Sequence, residues 1–222
     1  MGDITRKAAL YDAFARTGKA LSSGKRLELL DLLAQGERPV DALARAAGLN
    51  LTTASAHLQT LRQAGLVTTR REGVRIHYRL AGDDVAALYA LLRQVAQAHQ
   101  EAVEPARAAY LGPADAEEVG REDLLARAAS GEVVVLDVRP AEEYAAGHIP
   151  GALSVPLAEL AGRVAELPAD TEVVAYCRGA YCVLAHDAVR LLHARGRRAV
   201  RLAEGMLEWK LAGLPVVREG AA

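Results

Sequence analysis

A run of six residues constrains the fold of this chain more than any other stretch. Residues 133–138 read VVVLDV, in which five residues are aliphatic and four are β-branched. Such a run is typical of a strand buried on both faces of a parallel sheet. Helices must then cover both faces, so we predict an α/β domain here. Similar patterns predict further strands at residues 152–154, 172–176 and 199–202, with helices near Arg121, Ala141, Leu157, Val183 and Met206.

The only two cysteines of the chain follow one of these strands. Cys177 and Cys182 enclose an active-site loop made of Arg178, Gly179, Ala180 and Tyr181. A thiol that faces helix N-terminal amides is favoured as the thiolate, and the Arg178 cation acts in the same direction. We therefore predict that Cys177 is a catalytic nucleophile. Cys182 is either a resolving thiol that closes a bridge with Cys177 or a small buried residue.

Length and charge predict two regions with different partners. A chain of 222 residues suits two domains, each with its own core. The first 111 residues carry 15 Lys and Arg against 11 Asp and Glu, whereas the remainder carries 12 against 17. An anionic partner is therefore expected on the first half.

Targeting signals are absent from the sequence pattern. No apolar run approaches the roughly 18 residues that a membrane span needs, and residues 1–7 lack a secretory apolar segment. We expect a cytoplasmic protein without a membrane partner. Two cysteines in a reducing compartment favour a catalytic or redox-sensing role over a structural disulfide.

Short helices and tight turns dominate the first half. Helices are predicted at residues 4–21, from the N-cap Ser23 to Gly36, from Pro39 to Gly48, and from residue 50 or 51 to 64, with glycines at several ends. The last two form a helix-turn-helix, whose second helix enters the DNA major groove. Its polar face supplies candidate DNA contacts, the alternative being a merely solvated surface: Thr52, Thr53, Ser55, His57 and Gln59.

A basic hairpin follows that helix. Residues 66–80 alternate like two strands around Glu72 and Gly73, and Arg70, Arg71 and Arg75 lie near the tip. A basic hairpin after a recognition helix is suited to phosphate contact. We predict that these three arginines bind DNA.

Residues 6–110 resemble the ArsR family of winged helix-turn-helix repressors. The resemblance is carried by KRL at 25–27, SAHLQTL at 55–61, AGLV at 64–67, RREG at 70–73 and YRL at 78–80. It implies a homodimer on operator DNA that is released by a ligand, a metal or a redox event. The metal-binding patterns of the family are lacking here, so we expect neither a metal nor another cofactor.

One long helix from residue 83 to about 110 is expected to pair the two protomers. Apolar and small residues recur on it at spacings of three and four, a heptad-like seam. Pro105 is expected to kink or end this helix late. The seam consists of Val85, Leu88, Leu92, Val95, His99, Ala102 and Ala106.

Residues from about 117 to 217 resemble the rhodanese homology domain. DVRP at 137–140, EEY at 142–144, GHIPGA at 147–152 and EGMLEW at 204–209 carry the resemblance. It implies that Cys177 accepts sulfane sulfur as a persulfide, whereas Asp137, Arg139 and His148 are structural. Cys182 stands where arginine or a hydroxyl residue is common, which argues against thiosulfate as the preferred donor.

These expectations combine into one architecture and three functional hypotheses. We predict a mainly α winged helix-turn-helix domain at 1–111, a linker at 112–118, and an α/β rhodanese-like domain with a parallel sheet at 119–222. The first hypothesis is a repressor that senses reactive sulfur or oxidant at Cys177, the sulfur donor being thiosulfate, polysulfide or a persulfide. The others are a sulfurtransferase targeted to DNA and a metal or arsenic repressor with an inactive rhodanese domain.

Overall fold

The computed structural model describes residues 2–112 and 117–219. Contacts divide the chain into two compact units, one up to Tyr89 and one from Ala90 onward. The domain boundary expected at 112–118 remains a prediction, and residues 113–116 of that linker lie outside the described residues. Within the described ranges no helix has both the length and the apolar character needed to cross a membrane.

The first unit combines helices with a small antiparallel sheet. Its strand order is β1-β3-β2, which confirms the predicted winged architecture. Its core is aliphatic and includes Leu30, Leu43, Leu58 and Leu61. The elements are α1 (Gly2–Leu21), α2 (Gly24–Gln35), β1 (Arg38–Pro39), α3 (Val40–Ala46), α4 (Leu51–Gln63), β2 (Val67–Glu72), β3 (Arg75–Leu80) and the start of α5 (Asp83–His99).

Local chemistry sets the turn between α3 and α4. Gly48 has a φ of +62°, a left-handed conformation that favours glycine. Asn50 then caps α4, because its side-chain oxygen accepts a hydrogen bond from the Thr53 amide at 2.8 Å. Ala54, Leu58 and Leu61 bury one side of α4, so the opposite side is left at the surface.

The predicted long helix is two helices in the structure. The first is α5, and the second is α6 (Val103–Leu111). Pro105 explains the break, because its ring and missing amide are tolerated only in the first turn of a helix. The heptad-like seam therefore ends at His99, and Ala102 and Ala106 do not continue it along one helix. Leu88 and Val95 of the seam are exposed in the single chain.

The second unit has a five-stranded parallel sheet in the order β4-β8-β7-β5-β6. This confirms the predicted α/β fold. Besides α6, its elements are β4 (Glu118–Val119), α7 (Arg121–Ala129), β5 (Val133–Asp137), α8 (Ala141–Ala146), β6 (Leu153–Ser154), α9 (Leu157–Arg163), a 3-10 turn (Val164–Glu166), β7 (Glu172–Tyr176), α10 (Val183–Ala194), β8 (Ala199–Leu202) and α11 (Met206–Leu211).

Two apolar cores cover the two faces of this sheet. Alternate residues of β7 enter different cores, as the period of a strand requires. Val173 and Ala175 pack with α10, whereas Val174 and Tyr176 pack with the side that holds Trp209 of α11. Cys177 continues the first set, so its side chain joins the core on the α10 side.

Candidate cysteine site and nucleic-acid interface

Both cysteines lie buried beyond the carboxyl end of the central strand β7. Cys177 directly follows the strand and is 2% exposed, while Cys182 is the N-cap residue of α10 and is 9% exposed. The Cys177 Sγ lies 3.3 Å from the Cys182 carbonyl oxygen and 3.8 Å from the Gly179 carbonyl oxygen. Both sulfurs are free thiols. The loop therefore brings two reactive groups together within an apolar core.

The two thiols have opposite electrostatic surroundings. Burial raises the pKa of Cys177 well above its ordinary value, and the hydrogen bond to Cys182 raises it further. Amides of Ala185 and Gly179 act against this rise but do not reverse it. The interaction with the Cys177 side chain lowers the pKa of Cys182. The first proton of this coupled pair is therefore lost more readily from Cys182.

Arg178 acts differently from the expected activation of Cys177. Its guanidinium binds the Glu143 carboxylate with three contacts of 2.7 to 3.0 Å, and the Glu143 side chain is fully buried. The Arg178 charge also contributes to the lowered pKa of Cys182. A buried carboxylate thus fixes the position of the one cation in the loop.

The start of α11 holds the cysteine loop closed. The Met206 amide donates to the Cys177 carbonyl at 3.0 Å, and the Leu207 amide donates to the Arg178 carbonyl at 2.9 Å. Gly205 makes this approach possible, because a Cβ there would lie 2.4 Å from the Gly179 nitrogen and 2.6 Å from the Cys177 oxygen. The glycine of the closing EGM motif therefore serves backbone packing.

Tyr181 joins the cysteine loop to the second half of α5. Its hydroxyl donates to the Gln97 side chain, and the Arg93 guanidinium lies 4.3 Å from the centre of its ring. Arg93 also binds Glu208 at 3.2 Å, and Glu208 in turn accepts from the Gly205 amide at 3.0 Å. Helix α5 thus contacts the residue next to Cys182 and the segment that closes the loop.

The polar residues of the opening motif are bound within their own segment. Arg139 and Asp137 are both fully buried and form an ion pair with a shortest contact of 2.6 Å. Arg139 also donates to the Gly147 carbonyl at 2.8 Å. His148 stacks on Tyr144, with 3.6 Å between ring centres. These contacts fix the turns around β5, and none of them involves a cysteine sulfur.

Helix α4 presents the predicted polar face only in part. Thr52 and Gln59 are exposed, whereas Thr53, Ser55 and His57 are half-buried. Gln59 donates to the Tyr78 hydroxyl at 3.2 Å, so it connects the recognition helix to β3 of the wing. Of the predicted set, Thr52 and Gln59 therefore lie at the surface, and Gln59 additionally contacts the wing.

The three wing arginines differ in their local partners. Arg70 binds Glu37 at 2.7 Å and Glu72 at 2.9 Å, and these carboxylates raise its pKa. Arg71 donates to the Gly73 carbonyl at 3.0 Å, and Arg75 is exposed on β3. Phosphate must compete with two carboxylates for Arg70, so its contribution to DNA affinity is expected to be smaller than that of Arg75.

Sequence reasoning missed the residues that hold these sites from a distance. Glu37, Arg93 and Gln97 had no assigned role, and each contacts its site partner from far along the chain. No local pattern marks such contacts. Glu143 lies within the EEY motif and Glu208 within the EGMLEW motif, so motif membership was the available signal for these two acids.

Two family models match separate parts of the chain. Residues 23–69 match the bacterial regulatory protein, arsR family, and residues 121–212 match the rhodanese-like domain. A solution structure described as the homodimeric winged helix-turn-helix DNA-binding domain of a possible ArsR-family regulator from Mycobacterium bovis is 64% identical. It covers 43% of this chain and 89% of that fragment, with a TM-score of 0.41.

Curated relatives match the whole chain or its second half. The HTH-type transcriptional regulator Rv0324 of Mycobacterium tuberculosis is 60% identical over 221 residues, which is 99% of this chain and 96% of the relative. A sulfurtransferase of Allochromatium vinosum is 36% identical over 102 residues, 45% of this chain and 94% of that protein. The chain therefore belongs to the HTH-type transcriptional regulators in which an ArsR-family helix-turn-helix precedes a rhodanese-like domain.

Proposed function

We propose that this regulator is a cytoplasmic homodimeric repressor whose rhodanese-like domain senses reactive sulfur species or oxidants at Cys177. One observation carries the proposal. Tyr181, which adjoins Cys182, contacts Arg93 and Gln97 of α5, and α5 begins within the helix-turn-helix unit. A chemical change at the cysteines can therefore alter the helix on which dimer geometry depends.

The DNA-binding half of the proposal rests on α4 and the wing. Thr52, Thr53, Ser55, His57 and Gln59 are the proposed groove contacts, and Arg70, Arg71 and Arg75 the proposed phosphate contacts. Leu88, Leu91 and Val95 expose apolar surface along α5 of the single chain. A second copy would cover this surface, which supports a homodimer.

The proposed chemistry uses both thiols. As the Cys177 sulfur attacks a donor, its proton passes to Cys182 once that thiol has ionised. An S–S bond of the donor breaks, the Cys177–sulfur bond forms, and the remainder leaves as an anion. Cys182 then attacks the Cys177 Sγ, which expels hydrosulfide and closes a disulfide.

Closing that disulfide must move the loop. The Cys177 thiol now donates to backbone carbonyls of the loop, and this arrangement is lost when both sulfurs bond to each other. Tyr181 would move with Cys182, and its contacts with Arg93 and Gln97 would change. A hundredfold fall in operator affinity needs only about 2.7 kcal/mol of coupling, which is within the usual range.

The test compares operator binding before and after polysulfide treatment. The protein first selects its duplex from a random DNA library, and affinities are then measured by fluorescence anisotropy. We expect wild type to lose about a hundredfold in affinity and Cys177→Ser to lose none. Tyr181→Ala should acquire the same sulfur modification, measured by mass spectrometry, with little change in affinity.

Conservative variants sharpen this test. Tyr181→Phe keeps the ring under Arg93 but removes the hydroxyl contact, so it should give an intermediate response that Gln97→Ala reproduces. An unchanged response in Cys177→Ser would refute sensing at this sulfur. A full response in Tyr181→Ala would refute transmission through α5.

A sulfurtransferase is the second candidate, favoured by the similarity to a protein named as one. Repeated turnover distinguishes the two. A sensor consumes one donor per cysteine pair, whereas an enzyme releases thiocyanate continuously from a sulfur donor and cyanide. Linear thiocyanate production over many turnovers would favour the enzyme.

A further inference from the structure

A cleft of about 510 Å³ lies beside the cysteine loop in the second unit. Its walls come from the ends of β5 and β6, from α8 and α9, and from the loop and the start of α10. Seven of its ten lining residues are nonpolar: Val138, Pro140, Ala141, Pro156, Leu157, Ala158 and Leu184. The remaining three are Glu142, Glu159 and Arg178.

The charges of this cleft disfavour an anion. Two of the three charged lining residues are acidic, and the lining cation Arg178 is bound by the buried Glu143 carboxylate. Glu159 pairs with Arg163 at 3.0 Å, but Arg163 is shared with Glu166 and does not line the cleft. An anionic donor would therefore meet a largely apolar surface whose lining cation is already bound by a carboxylate.

The cleft and the cysteines share one apolar core. Cys177 and Cys182 belong to the cluster that contains Val138, with Leu157 and Leu184 packed against it. These three aliphatic residues also line the cleft. Because Cys177 is 2% exposed, a donor must lose water before it reaches the sulfur. Desolvation costs a charged molecule far more than a neutral one.

We propose that this cleft admits a neutral, apolar sulfane-sulfur donor, such as an organic polysulfide, in preference to anionic donors. The inference rests on the sensing function proposed above and names the donor class for the same cysteine pair. Arg178 then serves to position the loop through Glu143, and it does not serve to attract an anion.

The reaction with a dialkyl trisulfide balances without any other reactant. Cys177 Sγ attacks the central sulfur of the trisulfide, one S–S bond breaks, and alkanethiolate leaves with its bonding electron pair, so the sulfane sulfur is transferred to Cys177 in a mixed trisulfide. Cys182 next attacks Cys177 Sγ and expels alkyl persulfide. Two thiols are oxidised to one disulfide, and their two protons end on the alkyl persulfide and the alkanethiol.

The test uses two donors with the same reactive group. Dimethyl trisulfide is neutral, whereas glutathione trisulfide carries negative charge on the same three-sulfur unit. The full-length protein is mixed with each donor, and mass spectrometry follows the loss of the two thiols. We expect dimethyl trisulfide to react at least about tenfold faster, after correction for the reactivity of each donor with free cysteine.

A matched pair of variants tests whether the charge of the donor, and not its size, determines the reaction rate. Ala158→Arg adds a cation at an exposed helical position in the cleft, and Ala126→Arg adds one at an exposed helical position of α7 outside it. Ala158→Arg should lower the rate ratio of neutral to anionic donor about threefold, and high salt should abolish that change. Ala126→Arg should leave the ratio unaltered.

The outcomes separate the two proposals. Equal rates for both donors, or a faster anionic donor, would overturn the donor class, while sensing would still stand if either modification weakens DNA binding. Unequal rates that do not respond to Ala158→Arg would also overturn it, since size alone would then decide. Fast modification by dimethyl trisulfide without any change in DNA binding would support the donor class and refute the sensing function.

Discussion

The surface proposed to read DNA and the cysteine loop both lie at the start of a helix, yet they differ in exposure and in electrostatics. Helix α4 begins at the surface with the cap Asn50, and the exposed residues Leu51 and Thr52 follow it. Helix α10 begins with Cys182 inside an apolar core. The first helix start is open to a large polyanion, whereas the second is buried and could be reached only by a small molecule that loses its water. Under the proposed functions, exposure would assign DNA binding to the first and sulfur chemistry to the second.

The largest expected effect is a loss of stability when the backbone of the cysteine loop is crowded at Gly205, the residue before α11. Gly205→Ala places a methyl group 2.4 to 2.6 Å from loop backbone atoms that cannot move aside. We expect a loss of at least about 3 kcal/mol in the free energy of unfolding of this region, measured by denaturant titration. Gly162→Ala is the control, because nothing lies within 4 Å of the added Cβ and alanine favours its helix. Equal stability of the two variants would contradict the close packing of the loop.

The next largest expected effect is a difference between Cys177 and Cys182 in the pH dependence of their alkylation. Since the pKa of Cys177 is raised and that of Cys182 is lowered, alkylation of Cys182 should level off at a lower pH. Below its pKa each thiol should react about tenfold faster per pH unit, because only the thiolate reacts. Iodoacetamide pulses between about pH 6 and pH 9, followed by peptide mass spectrometry, measure both profiles. In urea the two profiles should coincide, and coincidence in the native protein would refute the coupling.

The smallest expected effect is a difference between Arg70 and Arg75 variants in the salt dependence of DNA affinity. Arg75→Ala should reduce the slope of log affinity against log salt by about 0.9, the value for one phosphate contact. Arg70→Ala should reduce it less, because Glu37 and Glu72 already bind Arg70. Glu37→Gln should strengthen DNA binding modestly by releasing Arg70 from one carboxylate. A larger loss for Arg70→Ala than for Arg75→Ala would overturn this ranking.

The sequence was sufficient wherever local periodicity decides the structure. The aliphatic run at 133–138 became β5, the residues before Cys177 became β7, and the turn around Gly48 separates α3 from α4. Periodicity failed at residues 100–102, where the pattern continues but Pro105 interrupts the helix. It also missed β1, since two residues are too few to establish an alternation.

The candidate site was predictable in its position but not in its electrostatics. A cysteine after a buried strand marks the loop, and both thiols were identified from the sequence. The raised pKa of Cys177 results mainly from burial by residues of several elements, which outweighs the lowering by the amides of Ala185 and Gly179. The contacts of Arg93 and Gln97 with Tyr181 join residues more than 80 positions apart, so only the folded chain reveals them.

The contact between Tyr181 and α5 has a thermodynamic corollary in the opposite direction. If oxidation of the cysteine pair lowers operator affinity by a given factor, then operator DNA must shift the oxidation equilibrium of the pair by the same factor. Bound DNA would then make the dithiol harder to oxidise, and a hundredfold coupling corresponds to about 60 mV for this two-electron couple. Operator DNA would thereby raise the concentration of reactive sulfur at which the cysteine pair becomes oxidised.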